Sequence, residues 1–269
     1  MGRILNTQFI LSIFISSIFV ILILSNPVLA GRPLITDDAG TQGKGKYLFE
    51  AGAEYSRDDN EGIRVNKTTI GAELDYGLAD NIDLTVFSCY QSLQINNTGV
   101  TSSPEGITDT LIELKWRFYE NKDGLAFAIK PGVLAPTGDY TKGIGDGDAR
   151  LGAGEVRGRL YVVGTKEFKK SAFHLNLGYL RNENRFDARE NLWHASLAGE
   201  WRIAKKFKLV GNTGIDTNPD ADSSIDPVFL LGGFVYSLSD SIDVSFGVKR
   251  GINDPGYDIN LTAGISLRF

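Results

Sequence analysis

Apolar and polar residues alternate along residues 257–269, which read YDINLTAGISLRF. Tyr257, Leu261 and Phe269 belong to the apolar set, and Asp258 and Arg268 belong to the set between them. A period of two residues predicts a β-strand with one apolar and one polar face, because successive side chains of a strand point to opposite sides. The apolar face requires a nonpolar phase, which is either a protein core or lipid.

The same alternation recurs along the chain from residue 45 onward. We predict strands within 46–55, 68–76, 81–90, 110–119, 125–133, 172–180, 192–203, 207–215, 241–249 and 257–269. Two further segments are less regular: 147–163 has glycine on part of one face, and 227–238 is apolar on both faces. The pattern therefore predicts about twelve strands, each near the ~9–11 residues that cross a bilayer obliquely.

The connections between these segments alternate in length. Short ones include 77–81 and 204–206, whereas long polar ones include 93–107 and 136–147. Short turns at one end and longer loops at the other are typical of an outer-membrane barrel. In lipid, every backbone N–H and C=O group needs a partner within the protein, so the sheet has to close on itself. We therefore predict an all-β fold, a single transmembrane antiparallel up-and-down β-barrel formed by residues 45–269.

Aromatic residues lie near both ends of the predicted strands, where two headgroup regions would meet a barrel. Those on the long-loop side are Tyr55, Tyr90, Tyr179, Trp193 and Tyr257. Those on the short-turn side are Tyr76, Phe118, Trp201, Phe207 and Phe269. This distribution favours a membrane barrel over a soluble β-sandwich.

The N-terminus has the form of a secretory signal peptide over residues 1–30. One charge, Arg3, precedes an apolar run, and the small-residue site Val28-Leu29-Ala30 ends it. We predict cleavage near Ala30; an uncleaved inner-membrane anchor is the alternative, because the apolar run is long. The predicted location is the outer membrane of a Gram-negative bacterium. Residues 31–44, called the N-terminal segment below, either hang in the periplasm or plug the barrel.

Composition narrows the possible partners. The formal net charge is -5, which argues against nucleic acid, since neutralising phosphates requires a basic surface. Cys89 is the only cysteine, so the chain has no internal disulfide. We expect outer-membrane lipids, the barrel-assembly machinery and a small-molecule solute as partners, and no cofactor. The sequence leaves the oligomeric state open.

Several segments resemble one known family. They are RPLITDDAGTQGKGKYLFEAGAEY near the start of the mature chain, KPGVLAPTGDY in the middle, GNTGIDTNPD later, and the ending GGFVYSLSDSIDVSFGVKRGINDPGYDINLTAGISLRF. They are similar to the outer-membrane barrel family labelled as a component of the meta-cleavage pathway of phenol degradation, whose members are often called transporters. The resemblance implies a barrel that passes aromatic or other hydrophobic small molecules, and it brings no catalytic residues.

Charged residues recur on the polar faces of the predicted strands. We predict that Glu113, Lys115, Arg117, Lys130, Glu155, Arg157, Arg159, His194 and Lys249 line the lumen. Charges inside a barrel must be hydrated or paired. They therefore either neutralise one another and close the lumen or border a water-filled path. Phe87 and Leu134 are candidates for an apolar inner patch, as are Phe234 and Tyr236, whose facing is ambiguous.

The pair His194 and Ser196 is the one arrangement with catalytic potential. A His-x-Ser spacing is similar to that of outer-membrane phospholipases, in which the pair faces lipid. Here Trp193 and Leu197 take the lipid side, and the sequence offers no evident third group to orient the imidazole. We therefore predict no enzyme and no catalytic residue, with a lipid-modifying enzyme as an alternative function.

Two further features complete the predictions. The stretch DTNPDAD superficially has the spacing of a calcium loop, but Ala221 and Pro227 occupy positions that need glycine and glutamate. We therefore predict no metal site, and a loose divalent-cation site among the acidic loops is the alternative that the sequence leaves open. Phe269, with apolar residues at alternate places before it, resembles the C-terminal signal for barrel insertion.

The favoured function is a channel or transporter for small molecules, and a structural barrel with a closed lumen is the other alternative.

Overall fold

The computed structural model describes residues 32–60, 63–97, 100–143, 150–253 and 256–269. The predicted signal peptide and its cleavage site near Ala30 lie outside these residues. Among the residues described, there is no helix long and apolar enough to cross a membrane.

Fourteen β-strands run through the described part of the chain. Their bounds are β1 Tyr47–Asn60, β2 Ile63–Ala79, β3 Ile82–Asn97, β4 Val100–Ser102, β5 Glu105–Ile107, β6 Thr110–Glu120, β7 Leu125–Ala135, β8 Arg157–Glu167, β9 Ser171–Arg181, β10 Asn191–Ala204, β11 Phe207–Asp216, β12 Val228–Ser237, β13 Ile242–Gly251 and β14 Ile259–Arg268.

All of these strands except β4 and β5 form a closed antiparallel cylinder. From β6 to β14 each strand pairs with the next, and β14 pairs with β1 to close the ring. β2 pairs with both β1 and β3, and β3 pairs with β6. The short strands β4 and β5 are additions on β3. The predicted all-β barrel of about twelve strands is therefore confirmed.

The outer surface is apolar and the inner surface polar, as strand β6 illustrates. Ile112, Leu114 and Trp116 are 43%, 42% and 46% exposed, whereas Glu113 and Lys115 between them are buried. The inverted pattern, with apolar residues outside and charges inside, suits a cylinder whose outer phase is lipid. The backbone has no open edge in the ring, because each strand has two neighbours.

The two irregular segments are partly strand. The first contributes β8, which begins only at Arg157, and the second contributes β12. In β12, Val235 is buried on the lumen side, so Phe234 and Tyr236 face outward, where Phe234 contacts the ring of Phe246 at 6.1 Å. The ambiguous facing of Phe234 and Tyr236 is thereby decided, and neither residue belongs to the lumen.

Aromatic clusters form at both ends of the cylinder. At the short-turn end, the ring of Tyr47 lies 4.6 Å from that of Tyr76 and 5.6 Å from that of Phe269. At the long-loop end, the rings of Tyr179 and Trp193 are 4.8 Å apart. Amphipathic rings at these two levels match the two interfaces of a bilayer.

Candidate functional site

The N-terminal segment lies inside the cylinder, against several strands at once. The side chain of Arg32 packs where Gly52 of β1, Gly71 of β2 and Gly264 of β14 form one row across three paired strands. A methyl group placed on Gly52 would lie 2.9 Å from the Arg32 side chain, so the absence of a side chain there makes room for the segment. On the strand next to β14, Gly247 of β13 lies close to Pro33.

Side chains of the wall satisfy the backbone of this segment. Asn212 of β11 accepts hydrogen bonds from the N–H groups of Ile35 and Thr36, at 2.8 and 3.0 Å. Thr165 of β8 accepts one from the Ala39 N–H at 2.9 Å. Further along, the Asp83 carboxylate of β3 accepts one from the Gln42 N–H at 3.0 Å. The segment therefore crosses the lumen from β11 to β3 on polar contacts.

Asp37 is the central charge of the segment. Its carboxylate lies 3.0 Å from the Lys115 ammonium of β6 and 2.5 Å from the Lys130 ammonium of β7. Burial raises the pKa of Asp37, but the two lysines outweigh it and hold that pKa well below its usual range. Asp37 therefore stays ionised at neutral and mildly acidic pH, and its two ion pairs persist there.

Glu113 of β6 links the two lysine-bearing strands to β8. Its carboxylate lies 2.8 Å from the Lys130 ammonium and 2.6 Å from the Arg159 guanidinium, and the Glu113 side chain is fully shielded from solvent. Asp37 and Glu113 together oppose Lys115, Lys130 and Arg159. The network joins the N-terminal segment to the wall through charges rather than through an apolar core.

Two predicted arginines lie near the ends of the barrel. Arg157 pairs with Asp109 at 3.0 Å and donates to the Asn182 side chain at 3.0 Å, on the long-loop side. Arg117 pairs with the exposed Glu120 at 3.3 Å, on the short-turn side. These arginines border the two openings rather than the middle of the lumen.

Lys249 and Glu155 differ in position from the central charges. The Lys249 ammonium lies 5.9 Å from the ring centroid of the buried Phe229. Glu155 precedes the first residue of β8 and pairs with Arg185, of a long loop, at 2.7 Å, with both side chains about half exposed. The expectation that Glu155 lies on an inward strand face does not hold, because β8 begins only at Arg157, two residues after Glu155.

An acidic sector of the wall adjoins this basic side of the lumen, because β3 pairs with β6, and its residues were absent from the predicted set. Glu50 on β1 lies directly opposite Glu73 on β2 in the strand register. Asp75 of β2 and Asp83 of β3 are buried nearby, and the Glu50 carboxyl accepts a hydrogen bond from the Ser266 hydroxyl. The same alternation of apolar and polar residues that identified the basic residues could have identified these acidic residues from the sequence. The lumen is therefore acidic on β1–β3 and basic on β6–β8.

His194 has hydrogen-bond partners on both ring nitrogens. Its Nδ1 lies 2.6 Å from Asp216 Oδ1, and its Nε2 lies 2.8 Å from Ser196 Oγ. The third group that the sequence did not reveal is thus Asp216, which pairs with His194 across β10 and β11. Twenty-two positions separate these residues, and only the strand register brings them together.

A cavity of about 250 Å³ opens at the short-turn end. It is bordered by the N-terminal segment at Gly40 and Thr41, by Arg117 and by Arg268 next to Phe269. The lumen is therefore open up to the N-terminal segment from this side.

The geometry defines a class of protein. A closed antiparallel cylinder with an apolar outside, aromatic residues at both rims and a charged lumen is a transmembrane β-barrel resembling bacterial outer-membrane channels. The chain belongs to the family described as "Putative MetA-pathway of phenol degradation", whose model matches residues 30–269. A comparison with curated protein sequences returned no match.

Solved structures of three other proteins share the fold. The COG4313 outer membrane channel from Pseudomonas putida F1 has 15% sequence identity and a TM-score of 0.70, over 86% of this chain and 98% of that one. The toluene transporter TbuX from Ralstonia pickettii has 9% identity and a TM-score of 0.51, over 84% and 90%. The translocator domain of autotransporter NalP from Neisseria meningitidis has 9% identity and a TM-score of 0.51, over 84% and 89%.

Proposed function

We propose that the chain is a passive channel for small, mainly apolar or aromatic molecules in the outer membrane of a Gram-negative bacterium. The observation that carries the proposal is a polar lumen occupied by a single chain segment held through separate polar contacts. The family membership supports it, as do the functions of two proteins of similar fold, an outer membrane channel and a toluene transporter.

The N-terminal segment acts as the plug of this channel. Its contacts from Ile35 to Gln42 are hydrogen bonds and ion pairs to wall side chains, and such contacts exchange readily with water when the segment moves. Its far end is tied by backbone bonds, in which the Gly45 N–H donates to the Gly77 carbonyl at 2.8 Å. The segment can therefore swing while it remains attached at residue 45.

Two apolar clusters inside the barrel support an apolar solute. Leu93, Ile95 and Leu151 form one cluster of buried residues toward the long loops. Ala128 and Val163 belong to the other, on β7 and β8. Apolar groups inside a hydrated lumen offer a solute places to lose water along its path.

Planar-bilayer recordings test the proposal. We expect ion-conducting steps from purified protein, and we expect an added aromatic alcohol to block the current more than a sugar of similar size does. A barrel that stays electrically silent, both as the wild type and with its plug displaced by Asp37→Asn, would refute the channel and favour a structural barrel with a closed lumen.

The structure gives less support to an enzyme that modifies membrane lipids. Ser196 is buried on the lumen side, while Trp193 and Leu197 of the same strand are exposed on the outside. A lipid in the bilayer would meet these apolar side chains, not the hydroxyl. Lipase activity that persists after Ser196→Ala would exclude Ser196 as its nucleophile.

We propose that Phe269 serves as an assembly signal at the seam of the barrel. Its backbone N–H donates to the Tyr47 carbonyl, and its carbonyl accepts from the Tyr47 N–H, at 3.0 and 2.7 Å. Deleting Phe269 removes this last pair and the ring contact, so we expect less folded barrel in the membrane with unchanged solute preference in what remains. The amount of folded barrel in membrane fractions is measured by its faster gel migration before heating. Phe246→Ala, which removes another aromatic side chain from the outer surface, is the matched control. Wild-type membrane levels after the deletion would contradict the proposal.

A further inference from the structure

A chain of hydrogen bonds runs through the lumen beside β10 and β11. The Asn212 amide donates to Thr36 Oγ1 at 2.7 Å, and Thr36 Oγ1 donates to Ser196 Oγ at 2.7 Å. From Ser196 the chain continues to His194 Nε2 at 2.8 Å, and from His194 Nδ1 to Asp216 at 2.6 Å. One member, Thr36, belongs to the N-terminal segment, and the others belong to the wall.

The direction of the protons along this chain follows from its ends. A carboxylate only accepts, so the hydrogen bond to Asp216 selects the His194 tautomer with its proton on Nδ1, and in that tautomer Nε2 is an acceptor. Ser196 Oγ accepts a hydrogen bond from the Thr36 hydroxyl and donates its own to His194 Nε2. That is the arrangement in which an imidazole acts as general base toward a serine and a carboxylate orients the imidazole.

The hydroxyl oxygen of Thr36 occupies the place that a substrate oxygen would need. It lies 2.7 Å from the Ser196 oxygen and 2.7 Å from the Asn212 amide nitrogen. A carbonyl oxygen near this position would receive a hydrogen bond from Asn212 while its carbon faces the serine. A side-chain amide in this role stabilises the negative charge that develops on the oxygen during attack.

We propose that Ser196, His194, Asp216 and Asn212 form an ester-hydrolysing site in the lumen, which the N-terminal segment covers with Thr36. Ser196 Oγ bonds to the carbonyl carbon as its proton passes to His194 Nε2, and the carbonyl electron pair moves to the oxygen that Asn212 binds. The bond to the leaving alcohol then breaks, and the alcohol takes the proton from His194. Water hydrolyses the acyl-serine by the same steps and regenerates the hydroxyl.

The surroundings indicate the substrate class. The ring of Tyr161 lies 5.5 Å from that of His194 and also packs against the cluster of Ala39, Ala126, Ala128 and Val163. Ala39 belongs to the same segment as Thr36, so displacing the segment uncovers both the serine and the apolar cluster. The site therefore fits soluble carboxylic esters with a small apolar acyl group that enter the lumen.

Covalent labelling of the full-length folded barrel tests the site. We expect a fluorophosphonate probe to modify Ser196, located by mass spectrometry, while the buried serines Ser245 and Ser266 remain unmodified. Thr36→Gly removes the covering hydroxyl, and we expect labelling to accelerate on the order of tenfold, the effect of about one buried hydrogen bond. Thr36→Val is the matched control, because it removes the hydroxyl but keeps the bulk over the serine.

Two further measurements test His194 as the general base and test the ester hydrolysis itself. His194→Gln should slow labelling in the Thr36→Gly background by on the order of a hundredfold, the usual contribution of a general base. The Thr36→Gly variant should also hydrolyse p-nitrophenyl butyrate, and adding Ser196→Ala should abolish that hydrolysis. The proposal is overturned if Ser196 in the folded Thr36→Gly protein reacts no faster than Ser245, or if His194→Gln leaves the labelling rate unchanged. Channel recordings of the same variants report separately on the proposed transport.

Discussion

Asp37→Asn is expected to raise the open fraction of the channel by about two orders of magnitude. The substitution removes the charge that pairs with Lys115 and Lys130, and it leaves two buried ammonium groups without their common partner. Removing one member of a buried pair costs ~3–5 kcal/mol, and we take the lower end because the Asp37 side chain keeps 24% exposure. Since ~1.4 kcal/mol is a factor of ten, the closed state loses roughly a hundredfold.

Single-channel recordings at fixed salt measure this open fraction. Asp123→Asn is the matched control, because it makes the same charge change at an exposed turn residue outside the lumen. An equal rise in both variants would show that net charge, not the ion pairs of Asp37, controls opening.

The pH dependence of the open fraction provides a second test of the Asp37 ion pairs. A lowered pKa for Asp37 means that its stabilising contribution is complete above the ordinary value near ~3.9 and is lost only as the pH falls below that value. The ratio of the Asp37→Asn open fraction to the wild-type open fraction should therefore stay constant from about pH 8 to about pH 5.

Glu113→Gln is expected to lower the free energy of unfolding by about 3 kcal/mol. The carboxylate is fully buried between Lys130 and Arg159. The neutral amide removes the counter-charge of Arg159 and one of the two carboxylates that pair with Lys130, which keeps its ion pair with Asp37. Urea unfolding in detergent or lipid, followed by tryptophan fluorescence, measures the loss. The temperature at which the fast-migrating, folded form of the barrel is lost in gels should fall in parallel.

Glu155→Gln is the matched control for this loss. It makes the same chemical change in an ion pair with Arg185 whose side chains are about half exposed, so the cost should stay within ~1 kcal/mol. Similar losses in the two variants would mean that the lumen is too well hydrated for the Glu113 pairs to matter. That result would also weaken the case for an electrostatically held plug.

Local patterning was sufficient to predict the cylinder. Period-two alternation identified the outward residues of β6 and placed Glu113 and Lys115 on the inner face, because a strand allows only two facings. The same rule was ambiguous for β12, since both faces of that strand are apolar and only its neighbours decide that Val235 points inward. It also failed at Glu155, where glycine-rich chain delays the strand to Arg157.

The lumen contacts depend on information that the alternation does not contain. Asp216 meets His194 because β10 and β11 pair in one particular register, and a register is not visible in either strand alone. The position of the N-terminal segment inside the cylinder likewise depends on the whole ring. Asp37 reaches Lys115 and Lys130 only because the closed wall encloses residues 32–44.

The glycine row Gly264–Gly52–Gly71 has a consequence for the shape of the pore. These three positions lie side by side on β14, β1 and β2, where Arg32 now packs against bare backbone. When the segment withdraws, these three glycines add no side chain of their own to the lumen, and the ring of Phe87 of β3 borders the row at Gly71. The lysines and arginines of β6–β8 still project from another sector of the wall. The conducting path will therefore be eccentric, running along a smooth peptide surface beside the β14–β1 seam rather than along the axis of the barrel.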